Sequence, residues 1–293
     1  MLPDHVMREL RYIELYTARR MRNLRLGSYT SRLRGPGFDF DQHRAYVPGD
    51  DVRLIDWNVT ARLNAPFVRE THAERELNAV VAVDLSPSMA FGTAEHSKRE
   101  AMLFIAACFV FSALADQINI GFVAFSDRVL SYHPPRRIRR KAWSILEELW
   151  AVNRPAARTS ILPVARFLAA QLKKISMVFL VSDFISDEDL AGSGDLKVLA
   201  ARHDVIGVVV EDPAEAALPR GSNAISVRDL ESGAVRRVGL GSTLRRNYEE
   251  LARRRRKALV DAFYRVPMDY VLVRSDRNVI EPVLELFASR RRR

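Results

Sequence analysis

The stretch Asn78-Ala79-Val80-Val81-Ala82-Val83-Asp84-Leu85-Ser86-Pro87-Ser88-Met89 decides how the chain is read. Ala79 to Val83 are small or β-branched apolar residues without a polar break, the pattern of a strand buried on both faces of a parallel sheet. Polarity then changes abruptly to Asp84-x-Ser86-x-Ser88. A carboxylate and two hydroxyls thereby fall where a parallel strand ends and its loop begins, the place where open α/β sheets bind ligands. Oxygen-only donors suit a hard divalent cation such as Mg²⁺ or Mn²⁺, which keeps waters and needs only one or two carboxylates. An Asp/Ser turn closing a strand explains the same residues without a metal.

Two pieces downstream belong with this motif. Thr159 lies in a polar loop just before a helical pattern, and Asp183 closes a second apolar strand, Met177-Val178-Phe179-Leu180-Val181-Ser182-Asp183. Together the three loops resemble the metal-ion-dependent adhesion site of von Willebrand factor A domains. The resemblance implies that Asp84, Ser86, Ser88, Thr159 and Asp183 bind one Mg²⁺ or Mn²⁺, with Thr159 joining directly or when ligand arrives. It also implies a site on surface loops, open to an incoming carboxylate. One departure is that the usual Gly-Gly-Thr-Asp of the middle loop reads Ala157-Arg158-Thr159-Ser160 here.

At 293 residues the chain has room for one large α/β domain and a smaller appendage, and its 48% hydrophobic content is that of a globular protein. The single cysteine, Cys108, excludes an internal disulfide framework and fits a reducing compartment. The N-terminus shows no signal peptide. The most apolar run, Ala101 to Ala115, is interrupted by Ser112 and is too short to span a bilayer, so it reads as a buried core helix. A cytoplasmic protein without a membrane span is expected. Net charge is +10, with 40 arginines against six lysines, and from Leu240 onward 14 basic residues face seven acidic ones. Such an excess fits nucleic acid, an acidic membrane or an acidic protein, and scattered arginines also arise from compositional bias.

Residues 1–26 read as an N-terminal helix, with Val6, Leu10, Ile13, Met21 and Leu24 near one face. Residues 27–77 change character. Gly35-Pro36-Gly37, Pro48-Gly49-Asp50-Asp51 and Asn64-Ala65-Pro66 punctuate short aromatic and β-branched pieces, which predicts a small β-rich or irregular subdomain. Its mixed arginines and carboxylates predict structural ion pairing. The order Arg44-x-Tyr46-x-x-Gly49-Asp50, Arg53-x-Ile55-Asp56-Trp57, Ala61-Arg62, Val68-Arg69 and Glu74-Arg75-Glu76, running into the metal motif, resembles the bacterial domain-of-unknown-function family numbered fifty-eight. Its members join this segment to a von Willebrand A-like domain, which implies such a domain over residues 78–293. Members of that family commonly accompany MoxR-type AAA+ ATPases.

From residue 78 the pattern alternates strands and helices, predicting a doubly wound, mostly parallel α/β sheet of Rossmann-type topology. Helices are expected over Ser97–Ala115, Arg136–Val152, Ser160–Lys173, Ser242–Tyr264 and Val279–Ser289. Strands are expected over Ile118–Phe125, Arg128–Tyr132 (a hairpin edge), Ser176–Asp183, Asp204–Glu211 and Met268–Val273. Ala224–Leu230 and Ala234–Val238 read as a hairpin turning at Ser232-Gly233. Ser186 with Asp189 has the spacing of a capping box, so Asp187-Glu188-Asp189 is read as a helix start. Gly192-Ser193-Gly194 is read as a turn, lacking the Lys-Ser/Thr of a phosphate loop. The Arg253–Lys257 run is expected on a solvated or partner-facing helix.

The six histidines show no metal-ligand spacing, and Ser86 and Ser88 lack a nucleophile elbow. The first functional expectation is therefore a non-enzymatic, divalent-metal-dependent protein-interaction module. It would take an acidic side chain of a protein partner, such as a MoxR-type AAA+ ATPase or its client. A nucleic-acid-associated protein using the basic C-terminal face is the second reading, and a metal-assisted hydrolase the third.

Overall fold

The computed structural model describes residues 2–20, 36–63, 65–72, 78–137, 142–152, 158–220, 224–228 and 234–290. Met21, Leu24, Gly35, Asn64, the Glu74-Arg75-Glu76 segment, Ala157 and the Ser232-Gly233 turn lie outside these residues. The chain divides into two units, Met1–Ser28 with Leu77–Arg293, and Tyr29–Glu76. The elements in chain order begin with α1 (Asp4–Arg20), β1 (Pro36–Ala45), α2 (Trp57–Leu63) and β2 (Phe67–His72). They continue with β3 (Asn78–Asp84), α3 (Lys98–Ala115), β4 (Asn119–Phe125), β5 (Val129–Arg137), α4 (Ala142–Ala151), α5 (Leu162–Gln171) and β6 (Ser176–Ser182). After them come α6 (Gly194–Arg202), β7 (Asp204–Glu211), α7 (Pro213–Ala216), β8 (Ala224–Arg228), β9 (Val235–Gly239), α8 (Ser242–Arg265), β10 (Asp269–Arg274) and α9 (Glu281–Arg290).

In the larger unit one sheet has the order β10-β7-β6-β3-β4-β5, and only the β4–β5 pair is antiparallel. Counting along the chain, this is the doubly wound order 3-2-1-4-5-6, whose direction reverses between β3 and β6. All seven residues of both β3 and β6 are buried, as their unbroken apolar runs require. Val80 and Ala82 share a core cluster with residues of α5, α6 and α8. On α3, Phe109 stacks on Phe179 of β6 with centroids 3.9 Å apart. The run expected as a core helix is α3, buried on nearly every side, and no described helix is long and apolar enough to cross a membrane. Within α3, Cys108 is buried, which pushes its thiol pKa up and makes it inert. The N-terminal helix joins this unit, because Val6, Leu10 and Ile13 are fully buried and α1 packs on α3.

Two local expectations are corrected. Arg136 and Arg137 belong to β5, not to a helix, and the described helix starts at Ala142. Pairing with β4 overrides the helical pattern, and Pro134-Pro135 is tolerated because β5 is the sheet edge. Asp187-Glu188-Asp189 does not open a helix. The next helix, α6, starts at Gly194 with Ser193 as its cap, Ser193 Oγ accepting from Leu196 N at 3.2 Å. Ser186 Oγ is buried without a hydrogen-bond partner, so no capping box forms there.

The smaller unit pairs β1 with β2 antiparallel, and its charges do pair. Arg44 grips Asp50 bidentately at 2.6 and 2.7 Å, while Val47 N donates to the same carboxylate. The Arg44 guanidinium and that amide hold the Asp50 pKa down at about 2. Gly49, at φ +110°, supplies the left-handed residue the turn needs. Asp56 accepts from Asn58 N and Val59 N and so starts α2.

Gly121 of β4 allows the closest backbone approach in the sheet edge. A Cβ there would lie 2.7 Å from His133 O and 2.8 Å from Pro135 N. Since both are backbone atoms of β5, Gly121→Ala should lower stability by roughly 1–3 kcal/mol in urea unfolding. An unchanged midpoint would mean that β5 does not pack as described.

Candidate metal centre at the switch point

The carboxyl ends of β3 and β6 flank the point where strand order reverses, and the expected donors gather there. Leu85 N donates to Phe125 O, extending the β3–β4 pairing past Asp84. Asp84 Oδ1 then accepts from Ser86 N at 2.8 Å, and this Asx turn aims the following loop. A short helical turn over Pro87–Ala90, anchored by buried Met89, fixes Ser88. Thr159 is set by its neighbour: Ser160 N donates to Ser126 O at 2.9 Å, and Ser160 Oγ donates to Glu188. Glu188 also accepts from Ile161 N and Leu162 N, satisfying free amides at the start of α5. The acidic cluster read as a helix start thus caps a different helix.

The three hydroxyls converge. Thr159 Oγ1 lies 2.8 Å from Ser86 Oγ and 3.4 Å from Ser88 Oγ, and the two serine oxygens are 3.0 Å apart. Asp84 stands at the root of this group, with Oδ2 accepting from Ser182 Oγ at 2.6 Å. Among the described residues no group of three or more His, Cys, Asp or Glu side chains is gathered as metal ligands. The donors here are one carboxylate and neutral hydroxyls, a set that fits a small hard cation retaining waters.

The site is not on open surface loops as expected. Asp84 has no exposed surface, Ser86, Thr159 and Asp183 are also buried, and Ser88 alone of the five is half-buried. Asp183 is committed elsewhere as well. Its Oδ2 accepts from Lys98 Nζ at 2.7 Å and its Oδ1 from Ile185 N at 2.9 Å. Lys98 is wholly buried and also donates to Glu215 at 2.5 Å. Burial opposes its charge, yet Asp183 and Glu215 outweigh that and raise its pKa. Phe184, next in chain, takes a left-handed φ of 53° that is uncommon without glycine. Its ring packs edge-on to Phe263 of α8.

Burial pushes the Asp84 carboxyl up to about 6, the Asp183 charge adds to this, and hydrogen bonds from Ser182 and Ser86 oppose it. Sequence reasoning missed Lys98, Ser182, Glu188 and Glu215. Lys98 reads as one more charge in His96-Ser97-Lys98-Arg99-Glu100. Only the reciprocal capping of Ser97 and Glu100, which starts α3 there, could have placed it at a strand end.

Two outcomes follow. Lys98→Met leaves buried Asp183 and half-buried Glu215 without their counter-charge, and should cost roughly 3–5 kcal/mol by urea unfolding at neutral pH. A loss below about 1 kcal/mol would show the pair to be solvated. In chelator, Asp84→Asn should be more stable than the parent at neutral pH. The folded carboxyl binds its proton more tightly than the ordinary value of 3.8, so its penalty is present above about 6 and vanishes as pH falls toward 3.8. The stability gap, at most about 3 kcal/mol, should close over that window; a gap independent of pH refutes the raised pKa.

The chain is similar to several known proteins. Uncharacterized proteins of Mycobacterium tuberculosis and Mycobacterium bovis are 30% identical over 285 residues, covering 97% of this chain and 89% of theirs. Among solved structures, an aerotolerance-related membrane protein from Bacteroides fragilis aligns with 73% of this chain and 97% of its own, at 16% identity and TM-score 0.47. A von Willebrand factor type A protein from Catenulispora acidiphila aligns with 74% of this chain and 43% of its own, at 11% identity and TM-score 0.43. The family model described as "Protein of unknown function DUF58" matches residues 42–258. The chain therefore belongs to the DUF58 family, and its larger unit is a doubly wound, mostly parallel α/β domain.

Proposed function

We propose that the protein is a non-enzymatic, divalent-metal-dependent interaction module, working in the cytoplasm as an adaptor or assembly factor beside a MoxR-type AAA+ ATPase. The observation that carries this reading is the convergence of Ser86, Ser88 and Thr159 hydroxyls within 2.8–3.4 Å of one another beside Asp84, at the switch point of the sheet. Asp84, Ser86, Ser88 and Thr159 would hold Mg²⁺ or Mn²⁺, with Asp183 contributing negative charge from β6 as a ligand or through water. The cation would supply an electrophilic position for a partner's carboxylate. This chain's own part is to orient the hydroxyls, exclude bulk water and keep Asp183 balanced against Lys98.

No histidine or free thiol stands among these groups to act as a base or nucleophile, which favours binding over hydrolysis. The AAA+ partner is proposed from the resemblance to a family whose members commonly accompany such ATPases. Nucleic acid is disfavoured because the arginine run is not a uniform basic stripe: Arg254 pairs with Glu250 and Arg256 with Glu211.

Melting in Mg²⁺ or Mn²⁺ tests the metal. At a hundredfold excess over Kd the parent should gain about 2.7 kcal/mol, and Asp84→Ala should gain nothing while remaining folded. An equal shift in both would reject the site. Retention of a purified MoxR-type ATPase on the immobilised protein tests the partner. Asp84→Ala is the cleaner comparison there, since chelator also strips nucleotide-bound Mg²⁺ from an ATPase. Retention unaltered by Asp84→Ala would remove the metal face from the mechanism.

A further inference from the structure

Beside Asp183 the larger unit opens a cleft of about 410 Å³ between the loop after β6, α7 and α8. Its floor is apolar, formed by Ile185, Ala216 and Leu259. Its rim is cationic: Arg220 follows α7, and Arg253 and Arg255 stand on α8. All three are exposed, and none forms an ion pair among the described residues. Arg256 also lines the cleft but is engaged by Glu211, with Nε 3.0 Å from Oε1. Glu215 and Asp183 share the single ammonium of Lys98, which offsets one of their two charges. Counted with Lys98, five cations stand at the cleft against the four carboxylates Asp183, Glu211, Glu215 and Glu249, and the unpaired cations Arg220, Arg253 and Arg255 are all on its exposed rim.

Helical spacing explains why the run reads as featureless in sequence. Glu249, Ala252, Arg253, Arg256 and Leu259 recur at three- and four-residue intervals and share one face of α8. Arg254 points away to its partner four residues earlier, Glu250. The five successive cations are thus divided between a cleft wall and ordinary surface.

We propose that this cleft seats an acidic, partly apolar peptide segment of a protein partner. Carboxylates of the segment pair with Arg220, Arg253 and Arg255, and an aliphatic side chain between them covers Ile185 and Leu259. Arginine suits this role because its planar fork takes a carboxylate bidentately and stays charged. A polyphosphate is the poorer occupant. Glu211, Glu215 and Glu249 also line the cleft, so it suits spaced carboxylates that reach the rim arginines better than the concentrated charge of a polyphosphate. A volume of 410 Å³ holds one or two side chains, not a folded surface. Through Asp183 the cleft adjoins the hydroxyl cluster. On the metal-dependent reading, a further carboxylate of the same segment would reach the cation, whereas the arginine contacts stand without it.

Fluorescence anisotropy on the full chain separates these claims. The probe is a labelled peptide in which aspartate and glutamate alternate with leucine, compared with its asparagine and glutamine counterpart. The acidic peptide should bind at least about tenfold more tightly than the amide peptide. Arg253→Glu with Arg255→Glu should weaken it by a similar factor, in Mg²⁺ and in chelator alike, with an unchanged melting temperature. Equal binding of the two peptides, no effect of the double reversal, or no saturation by about a millimolar would each overturn the cleft. Displacement by equimolar pyrophosphate would reassign it to phosphate. Loss on charge reversal but not in chelator keeps the cleft and sinks the metal reading; the opposite result does the reverse.

Discussion

A buried ammonium holds the ligand end of this sheet together. Lys98 Nζ, at the start of α3, lies against Asp183 at the end of β6 and Glu215 on α7. Strand ends that bind ligands must bring polar groups to a place where the core has removed water. Each such group needs a partner or imposes a desolvation cost of several kcal/mol per ion. Asp212 extends the same solution to the far strands: it accepts from Thr93 N at 2.8 Å and from Ser275 Oγ at 3.2 Å, and caps α7. Polar contacts thereby tie together the ends of β3, β6, β7 and β10.

The same constraint separates two chemical environments. On one side of Asp183, three small hydroxyls and the buried Asp84 offer hard oxygen donors in a space from which water is largely excluded. On the other side, long guanidiniums on α8 stand over apolar floor residues and remain solvated. The first environment suits a small cation, the second an extended anionic chain with aliphatic parts. Asp183 and Lys98 lie between them, so any rearrangement of that ion pair is felt on both sides.

Signature residues of the smaller unit have a local structural explanation. Arg44, Gly49 and Asp50 build one tight turn, and Asp56 begins a helix and accepts from His43 Nε2 at 3.0 Å. Trp57 remains 69% exposed on that unit. A signature dense in charges can therefore arise from the needs of a short segment with few apolar residues to bury, before any partner is invoked.

By itself the sequence determined the alternation of strands and helices, the buried character of β3, β6 and α3, and the candidate donors Asp84, Ser86, Ser88, Thr159 and Asp183. The strands and the Asp84-x-Ser86-x-Ser88 triplet were legible because burial on both faces writes an uninterrupted apolar run and a polar triplet directly after it marks a strand end, whereas Thr159 and Asp183 joined the set only through the resemblance to a metal-ion-dependent adhesion site. Tertiary structure alone decided that Thr159, 73 residues from Ser86, touches it, and that Glu188 caps α5 and not the helix following it. It alone gave Lys98 to Asp183 across 85 residues of chain, and divided the arginine run between cleft and solvent. Hydrogen bonds and ion pairs between distant loops depend on which strand ends the sheet order places side by side. No local pattern of charges encodes that order.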